Sequence, residues 1–180
     1  MEKKIRTLGI LHARSFSACL DEVRKKSGTT TRRLVIQHPS AVVVIPLLQS
    51  DQTLVVTQYR YVLGRETLEL PAGKIGPGED PQAAAHRELA EETGYEAEQM
   101  ESLTRFAPSL GYSNEMIHVY VGRELRASAG PPDGDEIVKV EKMTLARLKN
   151  LILQGEVVDG TTIVALAAYE WLTGPLAEDR

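Results

Sequence analysis

The sequence comprises 180 residues, of which 42% are hydrophobic and 26% are charged, and its formal net charge is −4. These values are typical of one globular domain with a buried core, and they exclude disordered, collagen-like and coiled-coil chains. The negative charge argues against binding nucleic acid or an anionic membrane through a broad positive field. No stretch of the sequence is long and apolar enough to span a bilayer.

Cysteine and histidine usage limits the covalent and metal chemistry. The single cysteine, Cys19, excludes an internal disulfide, and no histidine is spaced from it as in a zinc site. The apolar stretch that ends at Cys19 is similar to a lipoprotein signal, but His12 and Arg14 interrupt it. We therefore expect a cytoplasmic protein.

Short apolar runs separated by turn residues predict β-structure in the first part of the chain. The predicted strands are two or three pieces within residues 5–36, then 41–48, 53–61 and 67–70. Loops are expected at Arg24–Gly28 and at 49–52. Residues 71–78 contain too much proline and glycine for a regular element, so we expect an irregular segment there.

A helix is predicted from Pro81 to Thr93, and both of its ends are marked. Asp80 can accept backbone N–H bonds as the N-cap, and Pro81 suits the first helical position because its missing N–H would have no partner there. Gly94 can adopt the left-handed conformation that ends a helix.

Strands and helices also alternate in the rest of the chain. The predicted elements are strands at 96–106, 116–123 and 137–143, a loose stretch at 130–134, and helices at 145–153 and 161–172. Trp171, with Tyr169 and Leu166, is expected to pack the last helix into the core. The mixture favours an α+β fold or an α/β/α sandwich.

Three glutamates crowd one face of the predicted helix, because Glu91 and Glu92 lie three and four residues after Glu88. Carboxylates this close repel one another, so we expect a cation beside them. Mg²⁺ fits, because it binds through a few carboxylates together with substrate phosphate oxygens. Arg87 can hold Glu91 as an ion pair. A solvated charged surface is the alternative, but it leaves Glu79 and the upstream glycines unexplained.

These residues belong to a longer motif, which begins at Gly73, continues with Glu79 and ends with Arg87–Tyr95. The motif resembles the Nudix box, G-x5-E-x7-R-E-U-x-E-E-x-G-U, where U is a bulky apolar residue. All seven fixed positions match, and the probability of this by chance is on the order of 10⁻⁷ to 10⁻⁶ on average residue usage. Tyr95 is the one loose fit, because its position is usually aliphatic.

The resemblance implies a divalent metal cofactor, Mg²⁺, with Mn²⁺ as an alternative. It assigns metal ligation to Glu88 and Glu92, with the backbone carbonyl of Ala72 as a further ligand. Glu91 and Arg87 are expected as catalytic residues beside the metal. Glu79 is expected to brace the loop through Arg87 rather than to bind the metal.

Glu115 is the candidate for the carboxylate that takes a proton from the attacking water. It follows a turn-rich loop, residues 108–114, and enters a predicted strand. This loop resembles that of ADP-ribose pyrophosphatases of the Nudix family, which carry a proline at this distance past the box and a catalytic glutamate. A plain connection between strands, with an exposed glutamate, is the alternative.

Two upstream segments, residues 58–61 and 68–73, resemble the same subfamily, in which the matching arginine contacts the diphosphate. Arg60 suits this role because a guanidinium binds phosphate oxygens through paired donors. A surface ion pair is the alternative. Glu69 interrupts two apolar neighbours, so we expect its side chain to face the substrate groove or a partner chain.

The resemblance as a whole implies an α+β fold, the α/β/α Nudix sandwich, preceded by an N-terminal antiparallel strand extension. Residues 1–38 would pair with a second subunit in a swapped homodimer, and residues 39–180 would form the catalytic domain. The implied activity is Mg²⁺-dependent hydrolysis of the pyrophosphate bond of ADP-ribose or a related nucleoside diphosphate sugar, giving a nucleoside monophosphate and a sugar phosphate. No nucleic-acid or membrane partner is expected.

Two other functions stay open at this point. One is a Nudix hydrolase for a different nucleoside diphosphate linked to a group X, because the box alone does not select X. The other is a non-catalytic binding or regulatory module of the same fold, for which a degraded box would be expected, whereas the box here is intact. The number of metal ions, the phosphorus attacked and the identity of the base are also open.

Overall fold

The computed structural model describes residues 1–49, 51–128 and 137–174, so the loose stretch predicted at 130–134 lies outside the described residues. The strands are β1 Lys3–His12, β2 Ser17–Arg24, β3 Thr30–Gln37, β4 Ala41–Gln49, β5 Gln52–Arg60, β6 Arg65–Glu69, β7 Ala72–Lys74, β8 Tyr95–Phe106, β9 Ile117–Ala127 and β10 Ile137–Thr144. The helices are α1 Pro81–Thr93, α2 Leu145–Leu153 and α3 Gly160–Thr173. Two compact units result: residues 1–40 with 106–116, and the described parts of 41–105 and 117–180.

The first unit contains an antiparallel sheet in the order β1-β2-β3. The central strand β2 alternates buried and half-buried residues, as expected of a strand covered on one face. The loop 106–116 belongs to this unit because it is tied to the end of β3. Ile36 donates its N–H to the carbonyl of Tyr112 at 2.7 Å, and Asn114 donates its N–H to the carbonyl of Ile36 at 3.3 Å.

The second unit is built on a mixed sheet in the order β10-β5-β4-β9-β8, with β6 paired to β5 and β7 paired to β4. Strand β4 is central and parallel to β9. Its residues Val42–Ile45 are fully buried on both faces, which explains the continuous apolar run in the sequence. Strand β4 pairs with β7 at its start, Ala41 opposite Lys74, and with β5 only near its end, Leu47 opposite Thr53.

The prediction of an irregular segment at residues 71–78 was therefore wrong for Ala72–Lys74, which form β7. This strand has little β propensity of its own. It exists because the first half of β4 has an edge to which β5 does not pair, and β7 satisfies those backbone groups.

Helix α1 begins and ends at the predicted residues. The side chain of Asp80 accepts the N–H groups of Gln82 and Ala83, and Gly94 has φ 71°. The apolar side of α1 packs on one face of the sheet in a buried cluster. Its members are Val42, Val44, Ala84, Ala85, Leu89, Ala97, Met100 and Tyr120. Val43 and Ile45 point to the opposite face of the sheet and are equally buried. This face is covered by helix α3, which contacts β4.

The expected packing of Trp171 into the core was wrong, because its side chain is 63% exposed. Leu166 is buried as expected. Trp171 lies five residues after Leu166, and a helix with about 3.6 residues per turn carries it away from the buried face. None of the helices in the described ranges is long and apolar enough to cross a membrane.

Candidate active site

A glycine of β7 makes room for the first carboxylate of the site. A Cβ atom added to Gly73 would lie 2.0 Å from Cδ of Glu88 and 2.2 Å from each of its carboxylate oxygens. The side chain of Glu88 is only 12% exposed. Burial raises the pKa of Glu88, and the hydrogen bond from Arg87 opposes that rise. A side chain at position 73 would therefore displace the carboxylate of Glu88 from its place against β7.

Gly73→Ala is expected to displace the carboxylate of Glu88 and to lower kcat/KM about a hundredfold, a loss that a misplacement of about 1 Å in an active site can cause. The half-saturating Mg²⁺ concentration should rise in parallel. Gly9→Ala is the matched control, because its Cβ would meet nothing within 4 Å. Steady-state kinetics across a Mg²⁺ titration would measure both effects, and normal kinetics for Gly73→Ala would contradict the role of this contact.

Glu92 is the second carboxylate, one turn further along α1. Its Oε2 accepts a hydrogen bond from the N–H of Ala72 at 3.0 Å, and its Oε1 accepts one from Nε2 of Gln58 at 3.3 Å. Burial raises the pKa of Glu92 to about 8, although the bond from Ala72 opposes the shift. Two carboxylates, Glu88 and Glu92, are thus desolvated on the same side of α1. A buried site of this kind gains stability when a cation binds.

In the metal-free protein, the raised pKa of Glu92 should make folding stability depend on pH. Below about pH 4.5, the ordinary value, the carboxyl is protonated in both states. Between that value and about 8 only the folded state keeps the proton, so stability falls as pH rises and levels off above 8. Glu92→Gln should therefore melt close to the unaltered protein at pH 5 and several degrees above it at pH 9.

Differential scanning calorimetry in the presence of a chelator would measure this difference. Glu96→Gln, at an exposed position of β8, is the control and should leave the pH dependence unchanged. Equal melting temperatures for Glu92→Gln and the unaltered protein at pH 9 would contradict the burial effect.

Arg87 ties the acidic residues of the motif together. Its Nε and Nη2 each donate to the carboxylate of Glu79 at 2.9 Å. Its Nη1 donates to Glu88 at 2.7 Å and to Glu91 at 3.1 Å, and its Nη2 also reaches the carbonyl of Lys74 at 3.0 Å. The predicted contacts of Arg87 with Glu91 and Glu79 are therefore present.

Glu79 fixes the loop between β7 and α1 through Arg87 and Gly76. It accepts the N–H of Gly76 at 2.6 Å in addition to the bonds from Arg87. The hydrogen bonds from Arg87, followed by that from Gly76, lower the pKa of Glu79 to about 2. An ionised Glu79 thus braces the loop through Arg87 at any ordinary pH.

Arg60 and Glu69 form a second charged pair, which lies on β5 and β6. Nε of Arg60 donates to Glu69 Oε1 at 2.7 Å, Nη2 of Arg60 donates to Oε2, and the hydroxyl of Thr67 donates to Oε1 at 2.6 Å. Glu69 is buried and Arg60 is half-exposed. The bonds to Glu69 raise the pKa of Arg60. These three residues line a cavity of about 280 Å³, together with Val158 and Asp159.

A divalent cation fits the chemistry of the first two carboxylates. Mg²⁺ is usually bound by one or two carboxylates and completes its shell with water and substrate phosphate oxygens. Glu88, Glu92 and the carbonyl of Ala72 offer such an oxygen set, and the space at Gly73 lets the first carboxylate lie against β7. In the described part of the chain, no three acidic, histidine or cysteine side chains are already gathered as metal ligands. Arg87 and the N–H of Ala72 hold the two carboxylates instead.

Glu115 lies in the first unit, in the loop before β9. Its Oε1 is 3.1 Å from Nδ1 of His38, and its N–H donates to Oγ of Ser113 at 3.1 Å. Its side chain is 21% exposed, so it is not the fully exposed glutamate of a plain connection. Its catalytic role stays a prediction.

Three residues in contact with these groups were missed by sequence reasoning: Gln58, Thr67 and His38. Gln58 had a usable signal, because it lies two residues before Arg60 and so on the same face of β5. Thr67 is likewise two residues before Glu69 on β6. No local signal connects His38 with Glu115, which is 77 positions away in sequence.

Comparison with known proteins agrees with this geometry. The NUDIX domain family matches residues 37–163. The chain is 40% identical over 167 residues to the methanol dehydrogenase activator of Bacillus methanolicus, and 34% identical over 167 residues to an ADP-ribose pyrophosphatase of Bacillus subtilis. Each match covers 92% of this chain and 90% of the relative.

A solved structure of an ADP compounds hydrolase superposes with a TM-score of 0.83 at 22% identity, over 96% of this chain and 94% of that one. This superposition confirms the predicted fold. With an intact box on β7 and α1, and a family match over most of its length, the chain belongs to the Nudix family of hydrolases.

Proposed function

We propose that this chain hydrolyses the pyrophosphate bond of ADP-ribose or a related nucleoside diphosphate sugar in a Mg²⁺-dependent reaction. The observation that carries the proposal is the pair of desolvated carboxylates, Glu88 and Glu92, packed against the glycine of β7. Carboxylates are buried at such cost only where a cation or a proton compensates them. A linked diphosphate supplies the remaining oxygen ligands that Mg²⁺ requires.

Each residue has a defined task in the proposed reaction. Mg²⁺, when bound, screens the diphosphate and stabilises the charge that develops at phosphorus. Glu88, Glu92 and the carbonyl of Ala72 would hold it, while Arg87 orients Glu91 through an ion pair on the same helix. Glu115 accepts a proton from the water that attacks phosphorus. The bond from that phosphorus to the bridging oxygen breaks, and a nucleoside monophosphate and a sugar phosphate leave.

Arg60 is proposed to bind the diphosphate. Glu69 engages its Nε and Nη2, which leaves Nη1 to donate to a phosphate oxygen. Arg60 is also close enough to lower the pKa of Glu92 by its charge, so the proposed phosphate and metal groups are neighbours. Glu69 therefore acts on the substrate through the guanidinium that it orients.

The choice of substrate class is supported by the names of two relatives. The protein of Bacillus subtilis is an ADP-ribose pyrophosphatase, and a relative in Citrobacter koseri, 29% identical over 157 residues, is a GDP-mannose pyrophosphatase. Both cleave a nucleoside diphosphate sugar. The cavity beside Arg60 offers both acidic and apolar contacts to the group attached to the diphosphate.

The direct test is product analysis in ¹⁸O-water, with the full chain, Mg²⁺ and a panel of ADP-ribose, GDP-mannose and dinucleoside diphosphates. We expect AMP and ribose 5-phosphate from ADP-ribose, with the label in one of the two products marking the attacked phosphorus. A folded, metal-saturated sample that leaves every compound of the panel uncut would contradict the proposal.

The proposal includes a homodimer formed through the N-terminal strands. Strand β1 is exposed along nearly its whole length, including the apolar residues Ile5, Leu8, Ile10 and Leu11. An exposed edge strand with apolar side chains is a ready surface for pairing with another chain. Sedimentation equilibrium should therefore report twice the mass of a 19.8 kDa chain.

A second candidate function is activation of a dehydrogenase, because the relative in Bacillus methanolicus, at 40% identity, is a methanol dehydrogenase activator. The two functions are separated by adding this chain, or its Glu92→Gln variant, to a methanol dehydrogenase. Equal activation by both would favour a binding module, whereas activation lost with the carboxylate would connect it to hydrolysis.

A further inference from the structure

We infer that His38 is a positioning residue for Glu115, holding its carboxylate in the orientation in which it accepts the proton of the attacking water. The inference deepens the proposed function and rests on it, because Glu115 is the base only in that proposal. It concerns contacts within residues 1–40 and 106–116, which form one compact unit.

The imidazole of His38 lies against the carboxylate of Glu115. Nδ1 forms a hydrogen bond with the carbonyl oxygen of Pro39 at 2.8 Å, and it lies 3.1 Å from Oε1 of Glu115, within ion-pair distance. Because the carbonyl can only accept, Nδ1 carries a proton, and its positive N–H group attracts the carboxylate beside it. The engaged Oε1 leaves the other carboxylate oxygen of Glu115 to accept a proton.

His38 is itself held by two neighbours and is largely buried, as a positioning group requires. Its backbone N–H donates to Oδ1 of Asn114 at 2.8 Å. Its ring lies against Phe16, with the centroids 5.7 Å apart and the planes tilted by 34°. Its side chain is only 18% exposed. The ring therefore has little freedom to leave Glu115.

The loop that carries Glu115 is fastened to the same strand end. Ile36 bonds through its N–H and its carbonyl to Tyr112 and Asn114, and Ser113 forms a bridge with Ile36. The hydroxyl of Ser113 also accepts the N–H of Glu115. The backbone of Glu115 and the ring of His38 thus share one support, and a general base must be held within hydrogen-bond reach of its proton.

A double-mutant cycle tests the inference with the full chain and ADP-ribose. His38→Ala should lower kcat about tenfold with KM nearly unchanged, the lower end of what a lost orienting contact costs at metal sites. His38→Asn should recover most of that loss, because its amide nitrogen can occupy the place of Nδ1. In a Glu115→Gln background, His38→Ala should cause no further loss of kcat.

Three outcomes decide the matter. An equal loss from His38→Ala in both backgrounds would show a structural role and overturn the inference alone. Unchanged kcat in Glu115→Gln would overturn the proposed base, and the inference with it. If circular dichroism shows that His38→Ala is unfolded, His38→Asn replaces it in the cycle. A tenfold loss of kcat from His38→Asn that is equal in the unaltered and the Glu115→Gln backgrounds would also overturn the inference. His12→Ala, which loses a bond to Ser17 in the same sheet, is the control and should keep normal kcat.

Discussion

Glu92→Gln is expected to lower kcat/KM by about a thousandfold, because removing a metal ligand forfeits several kcal/mol of charge stabilisation at phosphorus, and about 1.4 kcal/mol corresponds to tenfold in rate. The amide keeps the shape of the side chain: its one oxygen can still accept the N–H of Ala72, and its NH2 group can donate to the side-chain oxygen of Gln58 once that amide turns over. The fold should therefore survive while affinity for the cation is lost.

Isothermal titration with Mg²⁺ measures the loss of affinity for the cation. Kinetics over a range of Mg²⁺ concentrations then measures the loss of kcat/KM that remains when the cation is saturating. Partial recovery at high Mg²⁺ would agree with weakened binding. Glu96→Gln should behave as the unaltered protein, because Glu96 lies exposed on β8. Near-normal turnover of Glu92→Gln at low Mg²⁺ would refute the assignment of Glu92 as a ligand.

Glu115→Gln is expected to lower kcat by about 10² to 10⁴, the usual contribution of a general base, while Mg²⁺ binding stays intact. The amide has the size of the carboxylate, and its oxygen can keep the contact with Nδ1 of His38, so the loop should keep its conformation. Loss of kcat without loss of metal affinity is the signature that distinguishes a base from a ligand.

Single-turnover kinetics with ADP-ribose, together with a Mg²⁺ titration, would measure this split. Glu101→Gln, at an exposed position of β8, supplies the control for loss of one negative charge. A reduction in kcat of less than about tenfold lies far below the range for a general base, and it would move that role to a glutamate of the box, Glu91 first.

Much of the fold could be predicted because its signals are local. The limits of α1 follow from Asp80, Pro81 and Gly94, whose capping geometry depends on neighbours within one helical turn. The crowding of Glu88 and Glu92 on one face likewise follows from helical spacing. The strands of residues 5–61 could also be predicted from local signals, because turn residues separate them.

The amino-acid sequence by itself thus determined the helix that carries the acidic residues and the family to which the chain belongs. Only the tertiary structure decided which carboxylates are desolvated, since burial of Glu92 depends on Gln58 and Ala72 from two other strands. The same holds for β7, which needs the free edge of β4, and for the contact of His38 with Glu115. Local signals decay within a few residues, whereas burial and long-range contacts depend on how distant segments pack.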